Sequence, residues 1–149
     1  VVLVRLLNAR PRTVSEARER LRRNGFDDEL TESVLRRAEA EGLLDDRTFA
    51  KLWVTDRVLH RPLSRAAIAE ELRRKGVAPE VIEAALNEGY PVLREVETAR
   101  ELAEERFRRL RGVPLVRRRE RTVNYLMRRG FSRSLAFEVL PMDEAAEDE

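Results

Sequence analysis

One phrase occurs three times in this chain, and it limits the kinds of fold the chain can adopt. Leu21-Arg22-Arg23-Asn24-Gly25-Phe26 returns as Leu72-Arg73-Arg74-Lys75-Gly76-Val77 and as Leu126-Met127-Arg128-Arg129-Gly130-Phe131, at offsets of 51 and 54 residues. Nine residues after the last position of each phrase stands a leucine (Leu35, Leu86 or Leu140) that closes a second apolar stretch. Repetition at this period implies similar supersecondary units that bury one another's apolar faces. Charged residues make up 39% of the 149 positions and aromatics 5%, so no single unit carries much core of its own.

The apolar spacing is helical throughout, with no strand-like alternation. Leu3, Leu6 and Leu7 form a first stripe, ended by Arg10-Pro11-Arg12. Thr13 or Ser15 caps the next helix, which buries Ala17 and Leu21 and stops before Gly25. Gly76 and Gly130 fill the same slot later, where a left-handed residue ends a helix. Asp27, Pro79 and Ser132 open the third helix of each unit. Its apolar set is Leu30, Val34 and Leu35, then Val81, Ala85 and Leu86, then Leu135, Val139 and Leu140. The spacing predicts a helix from about Asp46 to His60, with Phe49, Leu52, Trp53 and Leu59 available for burial. Another runs from about Leu93 to Leu110 on Val96, Ala99, Ala103, Phe107 and Leu110. Gly42, Pro62, Gly89-Tyr90-Pro91 and Gly112-Val113-Pro114 punctuate the connections. The fold class is all-α: three tandem three-helix repeats over residues 1–44, 45–89 and 90–140, expected to stack into an elongated, curved molecule. An acidic segment, 141–149, is expected to be disordered.

Several functions are excluded by what the chain lacks. One His, no Cys, six scattered Gly and no phosphate-cradling loop remove the usual nucleophile, zinc and nucleotide sites, so the chain reads as a non-enzyme without cofactor or metal. Asp45-Asp46 reads as a helix cap, since a hard cation needs about six or more oxygens from several segments. Phe49 and Trp53, one helical turn apart, read as core, and His60 as a helix-end residue. No run approaches a membrane span, and Val1-Val2-Leu3-Val4 is too short for a signal-peptide core. The missing initiator Met suggests that the true start lies upstream. Absence of Cys fits a cytoplasmic protein.

Charge is unevenly spread. Net charge is +1 over residues 1–44, 0 over 45–89, +6 over 90–140 and −5 over 141–149. Arg supplies 28 of the 30 basic residues, a bias that genome composition or a thermophilic source also produces. On the middle helix of the third repeat, Val116, Val123, Leu126 and Met127 define an inward face. Arg117, Arg121 and Arg128 line another flank, with Arg118 and Arg129 beside them and Arg108, Arg109 and Arg111 arriving from the preceding helix. Arg22, Arg23, Arg73, Arg74 and Lys75 hold equivalent places in the earlier copies, so a basic strip could run along the repeats. Such a strip suits DNA phosphate or an acidic protein surface. Helix-end Arg also serves the helix dipole and solubility alone.

Two segments carry a family resemblance. Gly42-Leu43-Leu44-Asp45-Asp46-Arg47-Thr48-Phe49-Ala50 and Ile68-Ala69-Glu70-Glu71-Leu72-Arg73-Arg74-Lys75-Gly76-Val77 resemble the paired central signature of the RecX regulators of the bacterial recombinase RecA. Ser15-Glu16-Ala17-Arg18-Glu19-Arg20-Leu21 is similar to that family's first-repeat helix. Pro62-Leu63-Ser64 departs from it, standing where many relatives carry a glycine turn. The resemblance implies a monomeric tandem three-helix-repeat protein lying in the groove of the RecA–DNA filament, inhibiting ATPase and strand exchange and touching DNA without sequence specificity. The alternative is an autonomous helical DNA-binding module, for which the lack of Asn or Gln clustered with the Arg counts against sequence specificity. A plain helical scaffold is the third reading. The acidic segment is further expected to shield the third repeat until a partner displaces it.

Overall fold

Capping chemistry sets the helix boundaries. The computed structural model describes residues 2–142, in which α1 (Val2–Ala9), α2 (Val14–Arg23), α3 (Asp28–Ala40), α4 (Asp46–His60), α5 (Arg65–Arg74), α6 (Pro79–Gly89), α7 (Val92–Arg109), α8 (Leu115–Arg128) and α9 (Arg133–Glu138) follow one another. No strand occurs among the described residues. Thr13 starts α2 with a full capping box: its hydroxyl accepts from the Glu16 amide at 3.1 Å, and the Glu16 carboxylate accepts from the Thr13 amide at 3.2 Å. Asp27 and Ser132 accept from Leu30 N and Leu135 N at 2.7 and 3.1 Å. Most of the acidic segment, residues 143–149, lies outside the described residues, and with it the expectations of disorder and shielding.

The chain divides into two compact units whose limits do not follow the repeats: Val1–Asp56 with Ala69–Gly89, and Arg57–Ile68 with Tyr90–Glu149. In the first unit, Leu3, Leu6, Ala17, Leu21, Leu35, Ala38 and Leu44 form a continuous apolar cluster. In the second, Ala99, Ala103, Val123, Leu126, Phe131, Ala136, Val139 and Leu140 do the same where α7, α8 and α9 meet. Alanines dominate the α7 contribution, which lets the helix axes approach closely. No helix of the described residues is long and apolar enough to cross a membrane.

Each unit contains the same joint. In the first, the C-terminal end of α5 meets the start of α2: the Thr13 hydroxyl donates to the Lys75 carbonyl at 2.7 Å, and a Cβ on Gly76 (φ 81°) would collide with Ser15. In the second, the end of α8 meets the start of α5: the Ser64 amide donates to the Arg129 carbonyl at 3.0 Å, and a Cβ on Gly130 (φ 91°) would stand 2.7 Å from the Ala67 Cβ. Both capping residues, Thr13 and Ser64, are buried. At Gly76 and Gly130 the repeated glycine therefore has two tasks, a left-handed helix end and a close approach of backbone to side chain. Tyr90, beyond a glycine that α6 includes within its last turn, is fully buried and donates to the Leu63 carbonyl at 2.8 Å.

Several expected core residues lie outside. Leu52 and Leu59 are 59% and 68% exposed, and α4 buries Phe49, Ala50 and Val54 instead. Leu30 and Met127 are exposed, and Val116 is 78% exposed. The cause of the last is a register difference. At the 54-residue offset α5 maps onto 119–128, so α8 begins four residues early, and Val116 sits in a turn with no counterpart in α5.

Candidate functional site

The candidate basic residues of the first two copies are locally neutralised. Arg22 pairs with Asp28 at 3.2 Å and Arg23 with Glu19 at 3.1 Å. Arg73 and Arg74 share Glu70, the latter at 3.2 Å. Lys75 lies 3.6 Å from Glu16 and caps the Trp53 ring at 4.7 Å. Burial works against the Glu16 charge, but the Thr13 amide, Lys75 and Arg10 outweigh it and hold the carboxyl below the usual carboxylate range. Lys75 is thus a packing residue of the joint. Exposed pairs of this kind are worth roughly 0–1 kcal/mol, so they balance charge more than they fix structure.

The third copy is different. Arg117, Arg121 and Arg128 on α8 are exposed, and no carboxylate among the described residues pairs with them. At 3.6 residues per turn their positions fall within about 40° of one another, opposite the face that buries Thr122, Val123 and Leu126. Exposed Asn124 falls on the same stripe. That corrects the expectation that no Asn accompanies the Arg. Arg108 and Arg111, near the end of α7, are likewise exposed and unpaired among the described residues, whereas Arg109 bonds Glu105 at 2.7 Å.

Arg118 and Arg129 are half-buried and engaged within the second unit. Nε of Arg118 donates to the Phe107 carbonyl at 2.7 Å, and its guanidinium lies 3.6 Å from the Phe107 ring centre. It thereby satisfies a terminal carbonyl of α7. Arg129 donates to the Pro62 carbonyl at 3.0 Å and lies 5.1 Å from the centre of the Tyr125 ring. Arg106 reaches the same ring at 5.0 Å, and its Nε is shielded from solvent without a hydrogen-bond partner among the described residues. Arg106, Tyr125 and Arg129 line a concavity of about 390 Å³ together with His60, Arg61 and Arg109. Sequence reasoning placed neither Arg61, Arg106 nor Tyr125 in a site. The available signal was the helical spacing of Arg106 and Arg109, one turn apart and converging with Tyr125 and Arg129, one turn apart on the next helix.

The remaining candidates read structurally. Asp45 accepts from the Thr48 hydroxyl at 2.9 Å and from the Arg47 amide at 3.0 Å, which together with the Thr48 amide hold its carboxyl below the usual range against slight desolvation. Asp46 accepts from the Val14 amide at 2.9 Å and so ties α4 to α2. Among the described residues no cluster of His, Asp and Glu could hold a metal ion. Phe49 and Trp53 stack with ring centres 5.8 Å apart, and Trp53 Nε1 points to Glu71 at 3.4 Å. His60 is exposed at the end of α4.

Family models described as the first, second and third three-helix domains of RecX match residues 3–37, 45–86 and 94–140. The chain is 38% identical to the "Regulatory protein RecX" of Thermobifida fusca over 146 residues, covering 98% of this chain and 78% of that protein. It is 39% identical to the protein of the same description from Mycolicibacterium smegmatis over 152 residues, covering 99% and 80%. A crystal structure described as regulatory protein RecX superposes with a TM-score of 0.75 at 28% identity, over 91% of this chain and 66% of that one. The crystal structure of RecX from Lactobacillus salivarius superposes with a TM-score of 0.82 at 20% identity, over 93% and 89%, and shares the fold.

Proposed function

The chain belongs to the RecX family of regulatory proteins, and from that membership we propose that it regulates the RecA recombinase by binding, without catalysing a reaction. It acts in the cytoplasm as a monomer that lies in the groove of the RecA–DNA filament. There it occupies the path of the incoming DNA strand and disturbs the protomer contacts needed for ATP turnover and strand exchange. The observation that carries the reading to particular residues is the unpaired stripe of Arg117, Arg121 and Arg128. Guanidinium groups without carboxylate partners among the described residues are available to phosphate oxygens or acidic side chains, which they bind in bidentate fashion. Arg108 and Arg111 extend the same contact. Arg22, Arg23, Arg73 and Arg74 contribute only where a partner's charge displaces their own glutamates and aspartate.

The test is DNA-stimulated ATP hydrolysis by the RecA of the same organism, titrated with this protein. Inhibition at far less than one molecule per RecA protomer is expected. The triple variant Arg117→Ala, Arg121→Ala, Arg128→Ala should weaken it at least tenfold while keeping the wild-type helical signal. Full inhibition by the triple variant would remove these residues from the contact. No inhibition by saturating wild-type protein would refute the reading.

A second reading, autonomous duplex binding, gains one specific observation in Asn124. An Asn on the arginine stripe can read an adenine edge while its neighbours hold phosphates. Salt-sensitive, sequence-dependent retention of duplex DNA without RecA would favour it.

A further inference from the structure

From the side chains around Tyr125 we infer a second binding site: the concavity formed by the end of α4, by α7 and by α8 in the second unit takes a phosphate group. Arg106 and Arg129 approach the Tyr125 ring at 5.0 and 5.1 Å, and Arg61 and Arg109 stand at the edge of the same space of about 390 Å³. That size falls within the range of small-molecule sites, about 300–1,000 Å³. Among the described residues Glu105 is the only carboxylate of the lining, and it is bonded to Arg109. Four guanidinium groups against one carboxylate leave the space strongly positive, with His60 beside it.

Two details make this a site for an oxyanion and not simply a basic surface. The Nε of Arg106 is shielded from water and has no acceptor among the described residues, so a turn of the side chain toward a bound oxyanion would satisfy it. Arg129 is already oriented by its bond to the Pro62 carbonyl, which leaves its remaining donors fixed in direction. The donors also arrive from three elements: Arg61 just beyond α4, Arg106 and Arg109 from α7, and Arg129 just beyond α8. A tetrahedral phosphate offers oxygens in that many directions, whereas a planar carboxylate offers two on one side.

The inference does not rest on regulation of RecA, since it predicts binding without RecA. The phosphate can come from a free polyphosphate or from a nucleic-acid backbone, and the two are distinguished by titration calorimetry of the full chain. Tripolyphosphate, a short single-stranded oligonucleotide and citrate serve as probes at one ionic strength. Saturable binding of tripolyphosphate is expected, weakened at least tenfold by Arg106→Gln and separately by Arg61→Ala. Arg119→Ala, which removes the same charge outside the concavity, should change it less than twofold. Arg61 is exposed, so its variant keeps the test valid if Arg106→Gln fails to fold. Binding of the oligonucleotide alone, with the same pattern of variants, supports the site and assigns the phosphate to a nucleic-acid backbone. Equal binding of citrate, no binding of either phosphate probe, or an equal loss in Arg119→Ala overturns the inference.

Discussion

Gly25 and Gly76 have nearly the same backbone, φ 85° and 81°, but different surroundings. A side chain at Gly25 meets nothing, whereas at Gly76 it meets Ser15. Gly25→Ala should cost about 1 kcal/mol of left-handed strain. Gly76→Ala should add an overpacking cost for a total of about 2–4 kcal/mol. Urea denaturation of both variants separates the two effects, and Ser15→Gly in the Gly76→Ala background should recover part of the difference. Equal costs would mean that the close approach is not felt. Tyr90 offers a second residue-scale prediction. Its phenol is pushed up to about 12, chiefly by burial, from an ordinary value of 10.0. The neutral phenol therefore adds stability that is complete below pH 10 and lost as the pH climbs toward 12. Tyr90→Phe should flatten that alkaline limb. At neutral pH it should cost about 1–2 kcal/mol, because the Leu63 carbonyl loses its donor.

At the scale of the helix, a start that also forms a joint should matter more than a start that only caps. Thr13→Ala removes a cap and the bond to the Lys75 carbonyl and should cost about 2–3 kcal/mol, against about 1 kcal/mol for Ser132→Ala at the exposed start of α9. Chemical denaturation of the two variants side by side checks the ordering. The Glu16 carboxylate is lowered in the fold, so its contribution is present above the unfolded carboxylate range and lost as pH falls through its own lower value. Glu16→Gln should therefore make the acid limb of stability shallower, as measured by melts across that range. These helix starts were legible in the sequence, because a cap is a local bargain among four or five residues; α4 begins and ends where its apolar spacing predicts. The joint was not legible, since Thr13 and Lys75 stand 62 positions apart. Nor was the fate of individual arginines. Arg117 is exposed while Arg118, its neighbour, is spent on a carbonyl eleven residues away, and composition is the same for both.

Over the whole molecule, Arg117, Arg121 and Arg128 of the last repeat have no carboxylate partner among the described residues, whereas Arg22, Arg23, Arg73 and Arg74 at the equivalent places in the earlier copies are paired. If Arg117, Arg121 and Arg128 meet DNA phosphates, each replacement by Ala should lower the salt dependence of binding by about 0.7–0.9 in log–log slope. Titrations at several salt concentrations measure this, and an unchanged slope would assign the contact to protein. The extra first turn of α8 has a different consequence. Arg118 occupies the position that Thr13 and Ser64 hold in the earlier copies, yet it lies inside a helix. Its carbonyl already accepts from the Thr122 hydroxyl at 2.8 Å, and its guanidinium is turned to the end of α7. The third copy therefore lacks the capping hydroxyl and the open helix start with which Thr13 and Ser64 each receive a glycine from the copy that follows.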